Sequence, residues 1–416
     1  MLENIIQLLI NNNNTDTIYR LFSFISFKSA LAIIISLLVT NYFGKYIIKL
    51  LRQKSVGENI RELGLNNQLQ KKGTPTMGGL IILLGILIPT FLLCDLRNVY
   101  VQLMIITSVW MGFIGFIDDY IKVFRNNKKG LAGRFKIFGQ IFLGCLVAGI
   151  LYFNSDVVTH ELNQKVYVEY NEEEGIVDSN NLIKWETGAL HESQKTTIPF
   201  NKNNEFTYND IARFFGLNNV GSFVIYLLII VFVITAVSNG SNLTDGIDGL
   251  AAGTCAIIGS GLALFAYVSS NVETAGYLNI MFIPNSEELV VFMSAFVGSC
   301  VGFLWYNSFP AQIFMGDTGS LSLGAIIAVC AIAIRKELMI PIFCGVFFLE
   351  TLSVVLQVSY YKYTKKRYGI GKRIFLMSPI HHHFQKKGIH ESKITTRFWI
   401  VCVFLIIIAF VTLKIR

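Results

Sequence analysis

The sequence predicts an all-α polytopic membrane protein with about ten transmembrane helices, and three observations carry that prediction. Of 416 residues, 53% are hydrophobic and only 15% are charged. Mean hydropathy is +0.54, too apolar for a soluble globule of this size. The formal charge of +8 is concentrated between apolar runs instead of spread over them, which is how orienting loops are built.

A hydrocarbon core takes roughly 20 apolar residues per helix. Runs near that length fall at 22–43, 78–95, 99–117, 137–154, 220–238, 249–269, 288–306, 320–335, 338–361 and 397–413. Met1–Ile10 has no basic leading segment and is followed by the Asn11–Asn14 run, so it reads as an interfacial stretch and not a cleavable signal. Only Arg335, Lys336 and Glu337 punctuate residues 318–361, which requires a very tight turn there. Basic residues fill the loops after the first, third and ninth runs: Lys45 to Lys72, Lys122 to Lys136, and Lys362 to Arg397. The positive-inside rule then places the odd loops in the cytoplasm and both termini outside.

Residues 156–215 interrupt this pattern with an acidic insert centred on Glu172-Glu173-Glu174. The VYVEY stretch and the amphipathic tail from Ile211 to Leu217 predict a small extracytoplasmic hairpin plus a helix, serving contact or packing. Apart from that insert, residues 1–416 read as a single transmembrane catalytic domain. The seven cysteines lie in or beside apolar runs without paired spacing. They read as core residues, not as disulfides or zinc ligands.

Five polar constellations and one lone carboxylate within an apolar run stand out against the apolar background. Phe314-Met-Gly-Asp-Thr-Gly-Ser320 puts a carboxylate, Asp317, between glycines, with Thr318 and Ser320 placed to cap the next helix. A helix N-terminus beside a carboxylate suits a metal-bound phosphate, or the Asp simply caps. Lys71-Lys-Gly-Thr-Pro-Thr-Met-Gly-Gly79 offers paired lysines before a stiff, glycine-rich turn, for phosphate or as plain orienting charge. Asp118 and Asp119 adjoin, and repelling carboxylates are stabilised by a divalent cation or basic partners. Asp118 and Lys122 are also spaced for an ordinary helical ion pair.

Asn239, Asn242, Asp245 and Asp248 crowd the end of the fifth run. If Thr244–Gly249 opens a helix, the two acids share a face that grips a nucleotide, sugar or metal. Glu350, inside the ninth run, is costly in lipid and therefore functional by default, with a hydrogen bond to a neighbouring helix as the structural alternative. His381, His382 and His383 follow Ser378-Pro379 in a basic, aromatic loop. Adjacent histidines point apart and no second cluster matches a zinc spacing, so phosphate or sugar contacts suit them better. All five constellations follow odd-numbered runs and the lone carboxylate lies on the ninth, so they converge on one membrane face.

KKGTPTMGG, DDYIK, NLTDGIDGLA, FMGDTGSLSLG and SPIHHHF together resemble the phospho-N-acetylmuramoyl-pentapeptide-transferase family. The likeness runs from about Leu51 to the C-terminus, except for the insert. It implies a bacterial cytoplasmic-membrane enzyme that uses Mg²⁺ to move phospho-MurNAc-pentapeptide from its UDP carrier to undecaprenyl phosphate, yielding lipid I and UMP. It further implies that Asp118, Asp119, Asp317 and His381 are catalytic and that Asp317 binds the metal, with Asp118 and Asp119 beside it. On the substrate side stand Lys72, Thr76, Lys122, Asn239, Asn242, Asp245, Asp248, Phe314, His382 and His383, with Phe314 placed to stack on uracil. The expected partners are the UDP-linked donor, the polyprenyl acceptor and the bilayer. No nucleic acid is expected, and a homodimer stays open.

Two other readings compete. A related transferase would use a UDP-N-acetylhexosamine donor instead. A secondary transporter would also bury Glu350, but it places polar groups at the midplane and often carries matching halves, neither of which is evident here.

Overall fold

The computed structural model describes residues 21–53, 73–125, 127, 129–167, 182–192, 195–198 and 205–413. Lys71, Lys72 and the Glu172–Glu174 run lie outside the described residues. Helix α1 is Ile25–Gln53, α2 Gly79–Leu93, α3 Val99–Phe124 and α4 Gly133–Phe153. The insert follows as β1 Val158–Tyr167, β2 Leu182–Glu192, β3 Lys195–Thr197, β4 Glu205–Thr207 and α5 Tyr208–Phe214. Then come α6 Asn219–Thr244, α7 Leu250–Ser269, α8 Val272–Leu278, α9 Glu287–Asn307 and α10 Gly316–Ala333. A 3-10 turn Glu337–Met339, α11 Ile340–Phe343, α12 Gly345–Tyr368, α13 Ile380–Lys386 and α14 Glu391–Thr412 complete the chain.

Every predicted apolar run is helical. Among the described residues, eight helices are long and apolar enough to cross a membrane. A ninth arises if Glu337–Phe343 and Gly345–Tyr368, bent by 79°, count as one broken span. Helix α2 has 15 residues, about 22 Å at 1.5 Å per residue, short of a hydrocarbon core of about 30 Å. The all-α expectation needs correction in the insert, where antiparallel β1–β2 and β3–β4 pairs form. The expected hairpin and helix are both there, as β1–β2 and α5.

Helix α10 is the axis of the bundle. Every residue from Thr318 to Ala333 is buried, as befits a helix that is apolar or small on all sides. It packs against α2, α3, α6 and α7. Gly324 lets the α6 backbone near Val237 and Ser238 approach within 2.7 Å of where a Cβ would stand, the close helix contact that small residues permit in membranes.

The far end of α10 meets the insert. Arg335, Lys336 and Glu337 form the expected tight turn, with Arg335 at φ 56°, yet they are almost wholly buried and not exposed at a membrane edge. The insert and Tyr226 of α6 supply their partners. The Thr197 amide donates to the Arg335 carbonyl at 3.0 Å, and Lys336 Nζ donates to Thr197 Oγ1 at 2.6 Å. Tyr208 Oη donates to Glu337 Oε1 at 2.5 Å, and Arg335 Nη1 donates to Tyr226 Oη at 3.0 Å. Burial and the neighbouring Glu337 push the Tyr208 hydroxyl well above its ordinary pKa, so it stays a donor. Trp185 of β2 covers Gly276 of α8, which seats the hairpin on the bundle as well.

Buried charges are tolerable only while paired and hydrogen-bonded. Tyr208→Phe should therefore lower stability by about 1–3 kcal/mol, the cost of orphaning a buried polar partner. Thermal unfolding of the detergent-solubilised protein measures it, and an unchanged midpoint would show that the insert does not anchor there.

Candidate active site

Three carboxylates meet at the opposite end of α10. Asp118, Asp119 and Asp317 each offer an oxygen, and these atoms all lie within 4.8 Å of one another. Helix α3 runs on to Phe124, past the predicted end at 117, so the acid pair rides its last turns. A Cβ on Gly115 would collide with the Asp317–Thr318 backbone, so glycine there lets α3 approach the start of α10.

Asp119 reveals a correction. The expectation was a helix N-terminus open to an anion, capped by Thr318 and Ser320. Instead α10 begins at Gly316, and no side chain caps it locally. Asp119 caps it from another helix: its carboxylate accepts the Asp317 amide at 3.0 Å, the Thr318 amide at 2.9 Å and the Thr318 hydroxyl at 2.6 Å. The anion drawn to the positive helix end is thus the protein's own. Asp317 lies in the first turn of α10, not in the preceding loop.

Two lysines close the cluster. Lys122 Nζ stands 2.5 Å from Asp118 Oδ2 and 3.2 Å from Asp317 Oδ1. Lys136 Nζ of α4 is 2.9 Å from Asp118 Oδ1 and also bonds Asp317 Oδ2. The i,i+4 pair Asp118–Lys122 therefore exists, but as part of a four-membered network. The Leu131 amide donates to Asp118 Oδ1 at 2.7 Å. Three acids against two lysines leave one negative charge in excess. All potential ligands are oxygens, the donor set of a hard divalent cation. Since Asp119 is committed to α10, Asp118 and Asp317 are the pair that face the lysines.

The loop 73–79 braces the cluster from one side. The Phe314 amide donates to the Pro75 carbonyl at 2.8 Å, and the Gly78 and Gly79 amides donate to the Phe314 and Met315 carbonyls at 2.9 and 2.8 Å. Thr76 is buried within that loop, while Phe314 stays partly exposed.

The end of α6 braces the other side. Asn242 Nδ2 donates to Ser320 Oγ at 3.2 Å, and Asn239 Nδ2 to Gln140 Oε1 at 3.0 Å. The predicted helix over Thr244–Gly249 is absent: α6 ends at Thr244 and α7 begins at Leu250. Asp245 is the C-cap of α6, and Asp248 lies in the turn with Oδ2 accepting the Ala311 amide at 3.0 Å. Gly249 at φ 75° makes a helical continuation through it unfavourable. Asn307 locks this turn to the 308–315 loop by accepting from the Gly249 amide and donating to the Ile313 carbonyl.

The histidines occupy a short helix, α13, entered through Pro379. They point apart as expected. His381 Nδ1 is 3.1 Å from Glu350 Oε2, both residues fully buried, and its ring lies against Gly246. His382 Nδ1 meets Gln385 Oε1 at 2.5 Å, and His383 Nδ1 accepts the Leu376 amide at 3.1 Å. Partial burial and then Lys387 lower the pKa of His383, so at neutral pH it is a neutral ring with its proton on Nε2. Gly246 lies four residues beyond Asn242, so the end of α6 links the histidine group to the acidic one. Residue reading missed Lys136, Gln140 and the partner of Glu350. The signal for the first two was there: polar residues at i,i+4 on an otherwise apolar run.

Residues 193–335 match Glycosyl transferase family 4, and residues 71–83 match Phospho-N-acetylmuramoyl-pentapeptide-transferase signature 1. The chain is 57% identical over 398 residues to a protein of Flavobacterium psychrophilum, covering 95% of each chain. It is 52% identical over 411 residues to one of Parabacteroides distasonis and 54% over 412 residues to one of Porphyromonas gingivalis, covering 95% of this chain and 96% of each of those. All three are named phospho-N-acetylmuramoyl-pentapeptide-transferase. With such identity along nearly its whole length, and with the signature falling on the loop that braces its acidic cluster, the chain belongs to the phospho-N-acetylmuramoyl-pentapeptide-transferase family.

Proposed function

We propose that this protein transfers phospho-MurNAc-pentapeptide from its UDP carrier to a membrane polyprenyl phosphate, undecaprenyl phosphate being the expected carrier, to give lipid I and UMP. The observation that carries the reading is the Asp118–Asp317 pair held between Lys122 and Lys136 in a chain of this family. In the reaction a lipid phosphate oxygen attacks the phosphorus attached to the sugar. The bond from that phosphorus to the oxygen of the uridine-bound phosphate breaks, and UMP leaves with the electron pair.

Such chemistry asks for positioning and charge neutralisation more than for covalent help. Lys122 and Lys136 are placed to meet phosphate oxygens. Asp118 and Asp317 would hold a divalent cation, Mg²⁺ on the family likeness, which when bound neutralises charge on diphosphate oxygens. Asp119 does not reach outward: it fixes the start of α10 and so aims Asp317. A phosphate monoester has its second pKa near 6 and is largely dianionic at neutral pH, so the acceptor needs no general base to attack.

Thr76, Asn239, Asn242, Asp245, Phe314, His382 and His383 line the approach on the donor side in this reading, and Lys72 would join them. Asp248 instead holds the 308–315 loop in place. Lys45, Lys49 and Arg52 end α1, and Lys365, Lys366 and Arg367 end α12. Their excess supports a cytoplasmic setting for the site, with both termini outside.

Asp317→Asn should abolish UMP release while the protein stays folded and membrane-inserted. The assay uses purified protein, undecaprenyl phosphate, and UDP-MurNAc-pentapeptide or UDP-GlcNAc, with Mg²⁺ or chelator. Turnover only with UDP-GlcNAc would replace the donor assignment, and near-normal turnover by the variant would remove Asp317 from the mechanism. Asp119→Ala should behave differently. It strips a partner from three donors at the α10 terminus and should lower stability by roughly 2–4 kcal/mol, since a lost cap costs about 1 and a buried orphan about 1–3. Thermal unfolding separates the two acids.

A further inference from the structure

We infer that Glu350 is a positioning residue of this site, the inner pin of a polar track on α12 that holds residues 372–381 and thereby aims the histidines. Three polar residues spaced by seven on α12, Glu350, Gln357 and Thr364, are buried on one face of the helix. Each grips the same returning strap. Thr364 Oγ1 accepts the Lys372 amide at 2.8 Å. Gln357 Oε1 accepts the Ile374 and Phe375 amides at 2.9 and 3.0 Å, while its Nε2 donates to the Phe375 carbonyl at 3.0 Å. Glu350 Oε2 meets His381 Nδ1 at 3.1 Å.

Seven residues are close to two helical turns, so the three side chains stand in a row. The strap runs back along them, antiparallel to α12. The 3.1 Å contact lies off hydrogen-bond alignment, and among the described residues the Glu350 carboxylate oxygens and the His381 ring nitrogens have no polar partner but each other. A buried carboxylate and imidazole left alone would each be costly, so each specifies the other's place. The far edge of the His381 ring lies on Gly246, where any Cβ would collide with Nε2. Glu350 thus sets, through one ring, the spacing between α12, the 245–249 turn and the start of α13. His381 itself is 0% exposed. It acts from behind, and His382 and His383 present the contact surface.

The transferase reading enters this inference only through its activity readout. Asn at position 381 keeps an N–H near the place of Nδ1, and Gln places its amide near Nε2. We therefore expect H381N to retain a kcat about tenfold above H381Q, with donor KM changing less than kcat. That advantage should persist in an E350Q background, whose amide oxygen still accepts, and vanish in E350L. Equal kcat for H381N and H381Q, or losses from E350L and H381Q that simply multiply, would overturn the inference. ¹⁵N shifts of histidine-labelled protein report the contact without turnover: a protonated Nδ1 at His381 in wild type and E350Q, altered in E350L. Unchanged shifts would overturn it even if the wild-type assay failed, whereas wild-type inactivity with the expected shifts would sink only the reaction assigned above.

Discussion

The Asp119 carboxylate on the first turn of α10 is the contact on which the site depends. Three carboxylates with oxygens inside 4.8 Å repel strongly, each pair by about 4 kcal/mol at 4 Å and an effective dielectric of 20. Asp119 offsets part of that cost by accepting the Asp317 amide and the Thr318 amide and hydroxyl. Its negative charge is matched to the helix dipole. The remaining two acids are offset by Lys122 and Lys136. The same bonds that make the cluster affordable also fix its geometry, because Asp317 belongs to the turn that Asp119 holds.

Helix α10 carries that constraint through the bundle. Its 18 residues span about 27 Å at 1.5 Å per residue, and each end is closed by charge held in hydrogen bonds. At one end stand the acids and lysines; at the other, Arg335, Lys336 and Glu337 under the insert. Between them the helix is buried on every side and packed through small residues, so it has little room to slide or rotate. Among the described residues, the insert meets the end of α10 away from the acids. It supplies Thr197 and Tyr208 to the turn from which the broken span descends toward Glu350.

Much of this was legible in the residues. Apolar runs located every long helix, and the crowding of polar motifs after odd-numbered runs anticipated that Asp118, Asn242, Asp317 and His381 would gather at one end. Features set by distant partners were not legible. Asp119 as a cap for another helix has no local signature, since capping rules look three residues along the chain and not 198. Lys136 read as orienting charge because nothing nearby in sequence pairs with it. Asp245 and Asp248 suggested a helix face by spacing, but the left-handed Gly249 ends any continuation. The tight turn at Arg335–Glu337 was expected but its burial was not, because residues that cover it arrive from the insert, more than a hundred positions earlier.

The run His381-His382-His383 shows how repetition in sequence yields difference in space. Successive residues on α13 are turned by about 100°, so three identical rings reach three separate partners and cannot share one metal ion. Each is gripped by Nδ1, yet the grip differs in kind. Glu350 Oε2 stands 3.1 Å from the first, the Gln385 carbonyl oxygen faces the second, and the Leu376 amide donates to the third. Gln385 donates its own amide to Glu391 at 2.9 Å, which leaves that oxygen as the acceptor and puts a proton on His382 Nδ1. The His383 ring, accepting at Nδ1 and kept neutral, turns a donor outward at Nε2. Neighbouring rings thus carry opposite tautomers, a donor beside a ring whose Nδ1 proton is engaged within the protein. That alternation gives the neighbouring rings hydrogen-bond polarities of opposite sense. It holds only while the helix that bears the rings stays seated on α12.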